Sequence, residues 1–383
     1  MGDAEPVSKT HASRKGGFPG AKVLVCLSDD PGEPGGFPVV APQRVSLEQG
    51  LPWVLFAGRV LAFQPLLLLL LGLLLALPAG ARDNSTCPGP AWRVVARAPG
   101  VWQVLGEASS GHDEADVANR GRVSNALLVR DGARLWLLGS GPSPAAGAAL
   151  ACQVRAQLKR PVTDIIAPWP RPELVLGAGG FPLTRHWGHA EVAQGMQRQC
   201  PTCVERLRLR LGAAASDLGD RPIHLPEGWV TGASGSLGPL DWQLLWRAEG
   251  RPVTVWRVRG QPLFSAHGLL WGDGPPDARD AQLPQLLQST EALARWAAAV
   301  PQARWLPEQG PLLGADAPAR HAAYWQELQR QAQQAVQRGD AAGGPPPRWP
   351  GLPDAWATHV RHTLNWQHAW REAEDAMFNA TPR

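Results

Sequence analysis

The residues best equipped for chemistry in this chain are few and far apart. They are Glu173 in "APWPRPELVLGAGGF" (Ala167–Phe181), His189 in "HWGHAEV", His267 in "PLFSAHGLLW", and Cys200 and Cys203 in "CPTC". Two imidazoles and a carboxylate make a donor set for one zinc or iron ion. No two of these three stand at ligand spacing in sequence, so ordinary hydrogen-bonded histidines are the expectation. "CPTC" reads three ways: a redox pair, half of a zinc site or a local bridge. No second CxxC exists for a zinc ribbon and no thioredoxin-like strand precedes it, so a structural disulfide Cys200–Cys203 is expected. "GASGSLG" lacks the strand–helix setting of a serine nucleophile and reads as a flexible turn. "GSGPS" has no P-loop lysine. Asp273, Asp277 and Asp280 in "WGDGPPDARDAQL" are expected on a solvated loop.

The elements that must position these residues follow from periodicity. "WRVVARAPGVWQVLGE" reads as strand, turn, strand, and "SNALLVRDGARLWLLGSG" as a hairpin turning at Asp131-Gly132. "PAAGAALACQVRAQL" has helical spacing, and "PVTDIIA" is a buried strand. A second helix spans about Ala190–Leu211. Strands follow at "PIHLPEGW", "LDWQLLWRA", "RPVTVWRVRG" and "QPLFSAHGLLW", then a helix at "LPQLLQSTEALARWAAAV" and a short strand at "ARWLPEQGPLL". Two helices close the chain, separated by the Gly/Pro-rich "GDAAGGPPPRWPG". Hairpin, helix, strand in that order is an α/β pattern with helices covering a sheet.

Composition narrows the class. The formal charge of +4 is spread over 383 residues without a basic run, which argues against nucleic-acid binding. The 18 Trp lie within apolar runs and are expected in the core. Leu66–Leu77 is uninterrupted and apolar, suits a signal-peptide core, and is short against the roughly 20 residues of a membrane span. Arg59 precedes it and Ala79-Gly80-Ala81 follows as a cleavage pattern. The expected organisation is an N-terminal extension at 1–58, disordered or the product of a mis-assigned start; a signal peptide or anchor at 59–81; the main domain at 82–316; and a helical extension at 317–383. The expected location is periplasmic or secreted, with inner-membrane anchoring only if the Leu-rich segment stays uncleaved.

From about Val94 to Leu313 this order resembles the metallo-β-lactamase superfamily, and "CPTC…RLRLRLG" with "HVRHTLNWQHAWREAE" is similar to its quinoprotein relay system zinc metallohydrolase branch. The resemblance implies an αββα sandwich with extra C-terminal helices. It also implies histidines and carboxylates holding one or two zinc ions that generate a hydroxide nucleophile. Its five motifs are altered here. In "LLGSGPS", Gly139 and Ser140 stand at the aspartate and threonine of the first. "VLGAGGF", similar to the family's LGNxxF, sets the register of the second. That register puts Trp169 and Arg171 at the first two histidines of HxHxDH, Glu173 at the aspartate and Leu174 at the last histidine. Trp and Leu cannot ligate, and Arg adds a fixed positive charge. His189, with His186 as alternative, matches the third motif. His267 stands at the bridging aspartate and Gln309 at the last histidine.

The resemblance therefore implies a fold without most of its metal ligands. The expected protein is a pseudo-hydrolase with no cofactor, acting as a binding or accessory partner in periplasmic quinoprotein-dependent oxidation. Its partner would be a periplasmic protein, or a small anionic ligand received by Arg171. The alternative is a hydrolase with one zinc or iron on His189, His267 and Glu173.

Overall fold

Seven strands build the first sheet of the computed structural model, which describes Cys87 and residues 92–105, 124–341 and 344–380. β1 (Arg93–Ala98), β2 (Val101–Leu105), β3 (Ala126–Asp131) and β4 (Arg134–Leu138) run antiparallel to one another. From β4 the sheet continues in parallel, and parallel neighbours need crossovers. α1 (Pro144–Leu158) therefore leads to β5 (Asp164–Ala167), α2 (Pro172–Val175) lies before β6 (Arg185–His189), and α3 (Ala190–Leu211) precedes β7 (Gly228–Val230). The second sheet has the order β12-β11-β10-β9-β8. Its strands are β8 (Ser234–Leu237), β9 (Leu240–Ala248), β10 (Arg251–Val258), β11 (Leu263–Ser265) and β12 (Arg304–Leu306). The helices α4 (Leu283–Ala297), α5 (Ala317–Arg338), α6 (Asp354–Ala357) and α7 (Val360–Ala380) complete the chain.

Alternation along the strands sorts side chains into layers. Leu127, Val129, Trp136 and Leu138 face the second sheet, where they meet Trp242, Trp256 and Val258. Their neighbours Leu128, Leu135 and Leu137 face the other way and pack under Leu150 and Val154 of α1. On the second sheet, Val253 and Val255 point outward to α3, α4, α5 and α7, beside Met196, Leu286, Trp325 and Trp366. The result is helix, sheet, sheet, helix: the expected αββα sandwich with additional C-terminal helices. Trp136, Trp242 and Trp256 lie between the sheets and Trp325, Trp366 and Trp370 in the core under the C-terminal helices, in keeping with their apolar settings, whereas Trp229 is exposed.

Three expectations need correction. "GASGSLG" is not a flexible turn throughout, because Ser234–Leu237 pairs with β9 as an edge strand. The last helix breaks at Thr358-His359 into α6 and α7. Cys200 and Cys203 are free thiols, and the disulfide joins Cys87 to Cys152. Both thiols lie inside α3 in different surroundings, Cys200 buried in the core and Cys203 partly exposed on a cleft. Leu66–Leu77 lies outside the described residues. Among the described residues, no helix is long and apolar enough to cross a membrane.

Candidate functional site

β5 delivers the chain to the loop that begins at Ala167. The Pro168 carbonyl accepts from the Thr254 N–H at 2.8 Å and from its Oγ at 2.7 Å, which ties the loop to β10 of the other sheet. Prolines at 168, 170 and 172 restrict the backbone, and Pro172 opens α2 directly after Arg171. The glycine-rich exit then packs backbone on backbone: a Cβ on Gly177 would sit 2.0 Å from the Ser140 carbonyl oxygen.

A buried ion cluster fills the place where this loop meets the second sheet. The Arg171 side chain is 12 % exposed, with Nε 3.2 Å from Glu173 Oε2 and 3.7 Å from Glu308 Oε1, and Nη1 3.9 Å from Asp277 Oδ2. Its Cζ lies 5.3 Å from the centre of the Trp169 ring, and that of Arg247 lies 4.8 Å from the same ring. Arg247 is fully buried and donates to the carbonyls of Gly268, Asp277 and Arg279. Glu308, also fully buried, accepts from Ser124 Oγ at 2.7 Å, Gly268 N–H at 3.1 Å and Trp169 Nε1 at 3.2 Å.

The charges hold one another. Burial opposes the charge of Arg171, but Glu173, Glu308, Asp277 and Asp280 outweigh it, so its proton is held more tightly than usual. Burial pulls Arg247 down to about 10, which leaves it cationic at neutral pH. Burial likewise opposes the charge of Asp277, yet Arg279, Arg171 and Arg247 keep its carboxyl well below the usual range. Arg171 is thus committed to internal carboxylates rather than free to receive an external anion.

The other expected donors are committed too. His189 caps α3: its Nδ1 accepts from the Glu191 N–H at 3.1 Å, so Nε2–H donates to the Gly232 carbonyl at 2.9 Å. His267 is fully buried and held neutral by that burial. Its Nε2–H donates to the Asn125 carbonyl at 2.7 Å, and its Nδ1 accepts from Ser265 Oγ at 2.8 Å. No ring lone pair remains for a cation on either residue. His186 is a buried imidazole whose pKa burial lowers to about 4. Among the described residues, no three His, Cys, Asp or Glu side chains are grouped to hold a metal ion, so His189, His267 and Glu173 are not brought together as a ligand set.

Leu174 and Gly139 fit each other. Gly139 has φ +82°, and a Cβ there would lie 2.7 Å from Leu174 Cδ2, while Ser140 donates to the Leu174 carbonyl from both N–H and Oγ. Gln309 is buried and its carbonyl accepts from the Gly272 N–H. Burial pushes the Cys200 thiol up to about 12 and raises that of Cys203, aided there by Glu173 and Asp280, so neither is a ready thiolate.

Sequence reasoning missed Glu308 and Arg247, and it misjudged two acids of the loop. Asp277 is buried in the cluster, and Asp273 pairs with Arg361 at 2.6 Å. The available signal was a charged residue inside an apolar run, Glu308 in "WLPEQGPLL" and Arg247 in "LDWQLLWRA".

No family model matches the chain, and no curated protein matches it. Solved structures similar to it are metallo-β-lactamases. FIM-1 from Pseudomonas aeruginosa, in a mono-zinc form, is 16 % identical with a TM-score of 0.49, covering 62 % of this chain and 96 % of that one. The enzyme from Erythrobacter litoralis is 15 % identical, with a TM-score of 0.48 and coverages of 62 % and 96 %. The one from Pontibacter korlensis is 14 % identical, with a TM-score of 0.45 and coverages of 62 % and 99 %. The fold itself rests on the two-sheet topology and layering.

Proposed function

We propose that this chain is an exported, non-catalytic binding or accessory protein, a pseudo-hydrolase on a metallo-β-lactamase-type sandwich. The observation that carries the reading is the guanidinium of Arg171, held between Glu173, Glu308 and Asp277 on the loop where the resemblance puts metal. A dication on that loop would face two arginines, Arg171 and Arg247, that cannot be neutralised near pH 7. The saturated ring nitrogens of His189 and His267 support the same reading. Export is supported by the signal-like Leu66–Leu77 and by the Cys87–Cys152 disulfide, which belongs in an oxidising compartment. The branch resemblance makes a periplasmic partner in quinoprotein-dependent oxidation part of the proposal.

Elemental analysis of the purified chain after incubation with zinc or iron tests this. The expected result is metal far below one equivalent. Stoichiometric metal that a His189→Ala/His267→Ala variant loses would overturn the reading in favour of a single-metal hydrolase.

A further inference from the structure

A cleft of about 430 Å³ opens beside the locked loop, between α3 and the start of β10. Trp169, Arg171 and Glu173 lie on the loop side. The opposite wall is one face of α3, where Cys203, Arg206, Leu207 and Arg210 recur at helical spacing. Arg198 stands further back on the same helix, and Arg251 and Arg279 come from other elements. Six arginines thus line the cleft against two acids, Glu173 and Asp280.

Of these arginines, Arg171 pairs with Glu173, and Arg279 with Asp277 at 2.9 Å. Arg198 reaches Gln194 at 3.4 Å. Among the described residues, no carboxylate pairs with Arg206 or Arg251, although both line the same space. Like charges at i,i+4 on a helix, as at Arg206 and Arg210, repel. A concave wall with such an excess of cations concentrates anions. Guanidinium forks approaching from two elements suit a ligand with at least two anionic groups, each taken in bidentate fashion. The volume is that of a small-molecule site.

We infer that this cleft binds a small polyanion, a compound bearing two or more carboxylate or phosphate groups, through Arg206 of α3 and Arg251 of β10. The inference names the ligand class of the binding-protein reading and rests on that reading only in expecting no turnover. The two fail separately. Metal analysis reports on the loop and anion titration on the arginines, so a chain that takes up stoichiometric zinc and still binds polyanion loses the first reading alone.

The test is calorimetric titration of the full chain with pyrophosphate and with citrate, at an ionic strength held constant with sodium chloride, with acetate as the monoanion control. Saturable one-site binding of either polyanion, and not of acetate, is expected. Pyrophosphate alone would identify a phosphorylated ligand and citrate alone a polycarboxylate. Arg206→Gln/Arg251→Gln should weaken binding by about tenfold or more with an unchanged circular-dichroism spectrum, and Arg338→Gln, remote on α5, should not. Failure of both polyanions to bind above the salt control would overturn the inference, and so would equal binding by the double variant.

Discussion

At the scale of single residues, Arg171 and Glu308 are a buried pair whose partners would be stranded by any one-sided change. Arg171→Met leaves Glu308 and Asp277 facing each other with less compensation, and breaking a buried ion pair in this way costs about 3–5 kcal/mol. Urea unfolding should show that loss, and Glu308→Gln in the same chain should recover part of it. A purely additive cycle would mean that the two side chains do not interact. Gly139→Ala should cost about 1–3 kcal/mol through its positive φ and its contact with Leu174. The same change should cost less in a Leu174→Ala background. The loop's place between a buried strand and a glycine-rich exit was legible from the sequence. The chemistry of its residues was not. A lone Glu308 or Arg247 gives no hint of its partner when that partner lies far along the chain.

At the scale of elements, the C-terminal helices act on the site through the loop at 273–283. Asn365 on α7 donates to the Pro276 carbonyl at 2.6 Å and accepts from the Ala278 N–H at 3.0 Å. Arg361 pairs with Asp273, and Glu372 accepts from the Leu283 N–H at the start of α4. The loop so held carries Asp277 into the ion cluster. Asn365→Ala should therefore speed hydrogen exchange at residues 277–283 while leaving β3 and β4 protected. Uniform exchange across the chain would show that α7 supports the fold generally and not this loop. The element order was legible because alternation and helical spacing survive in the amphipathic segments. The short pieces were not: β6 and β8 are a few residues each, and hydrogen bonds to neighbouring strands, rather than their own composition, make them strands.

At the scale of the whole molecule, acid should unfold this protein in two stages. His186 and His321 are buried neutral with pKa values near 4, against 6.5 for a free imidazole. On unfolding each would take up a proton below pH 6.5. Their contribution is therefore complete above pH 6.5 and is lost as pH falls toward 4, by up to about 3 kcal/mol each. His321 has a specific reason to stay neutral: its Nε2 accepts from the Trp271 N–H, and its Nδ1–H donates to the Ala317 carbonyl. Asp277 is held below the usual 3.8 of an aspartate, so its contribution is present above that pH and lost only beneath it. Urea midpoints should decline between pH 6.5 and 4 and again below about 3.8. His321→Gln should flatten the upper stage, and a flat profile from 6.5 to 4 would refute the account. Reduction should also lower the melting temperature, because Cys87–Cys152 closes a loop across a sequence separation of 65 residues and such closures contribute about 4 kcal/mol. An unchanged melting temperature in reductant would contradict that.

The mutual fit of Gly139 and Leu174 reaches beyond stability. Any side chain added at 139 meets Leu174, and any polar replacement at the buried position 174 enters an apolar core with Val192, Met196 and Val253. Single-step variants toward an acid at 139 or an imidazole at 174 are therefore both disfavoured, and the positive φ at 139 keeps its share of the cost whatever stands at 174. Two of the one-substitution routes to a metal-binding group beside this loop, through 139 and through 174, are thus obstructed by packing already in place.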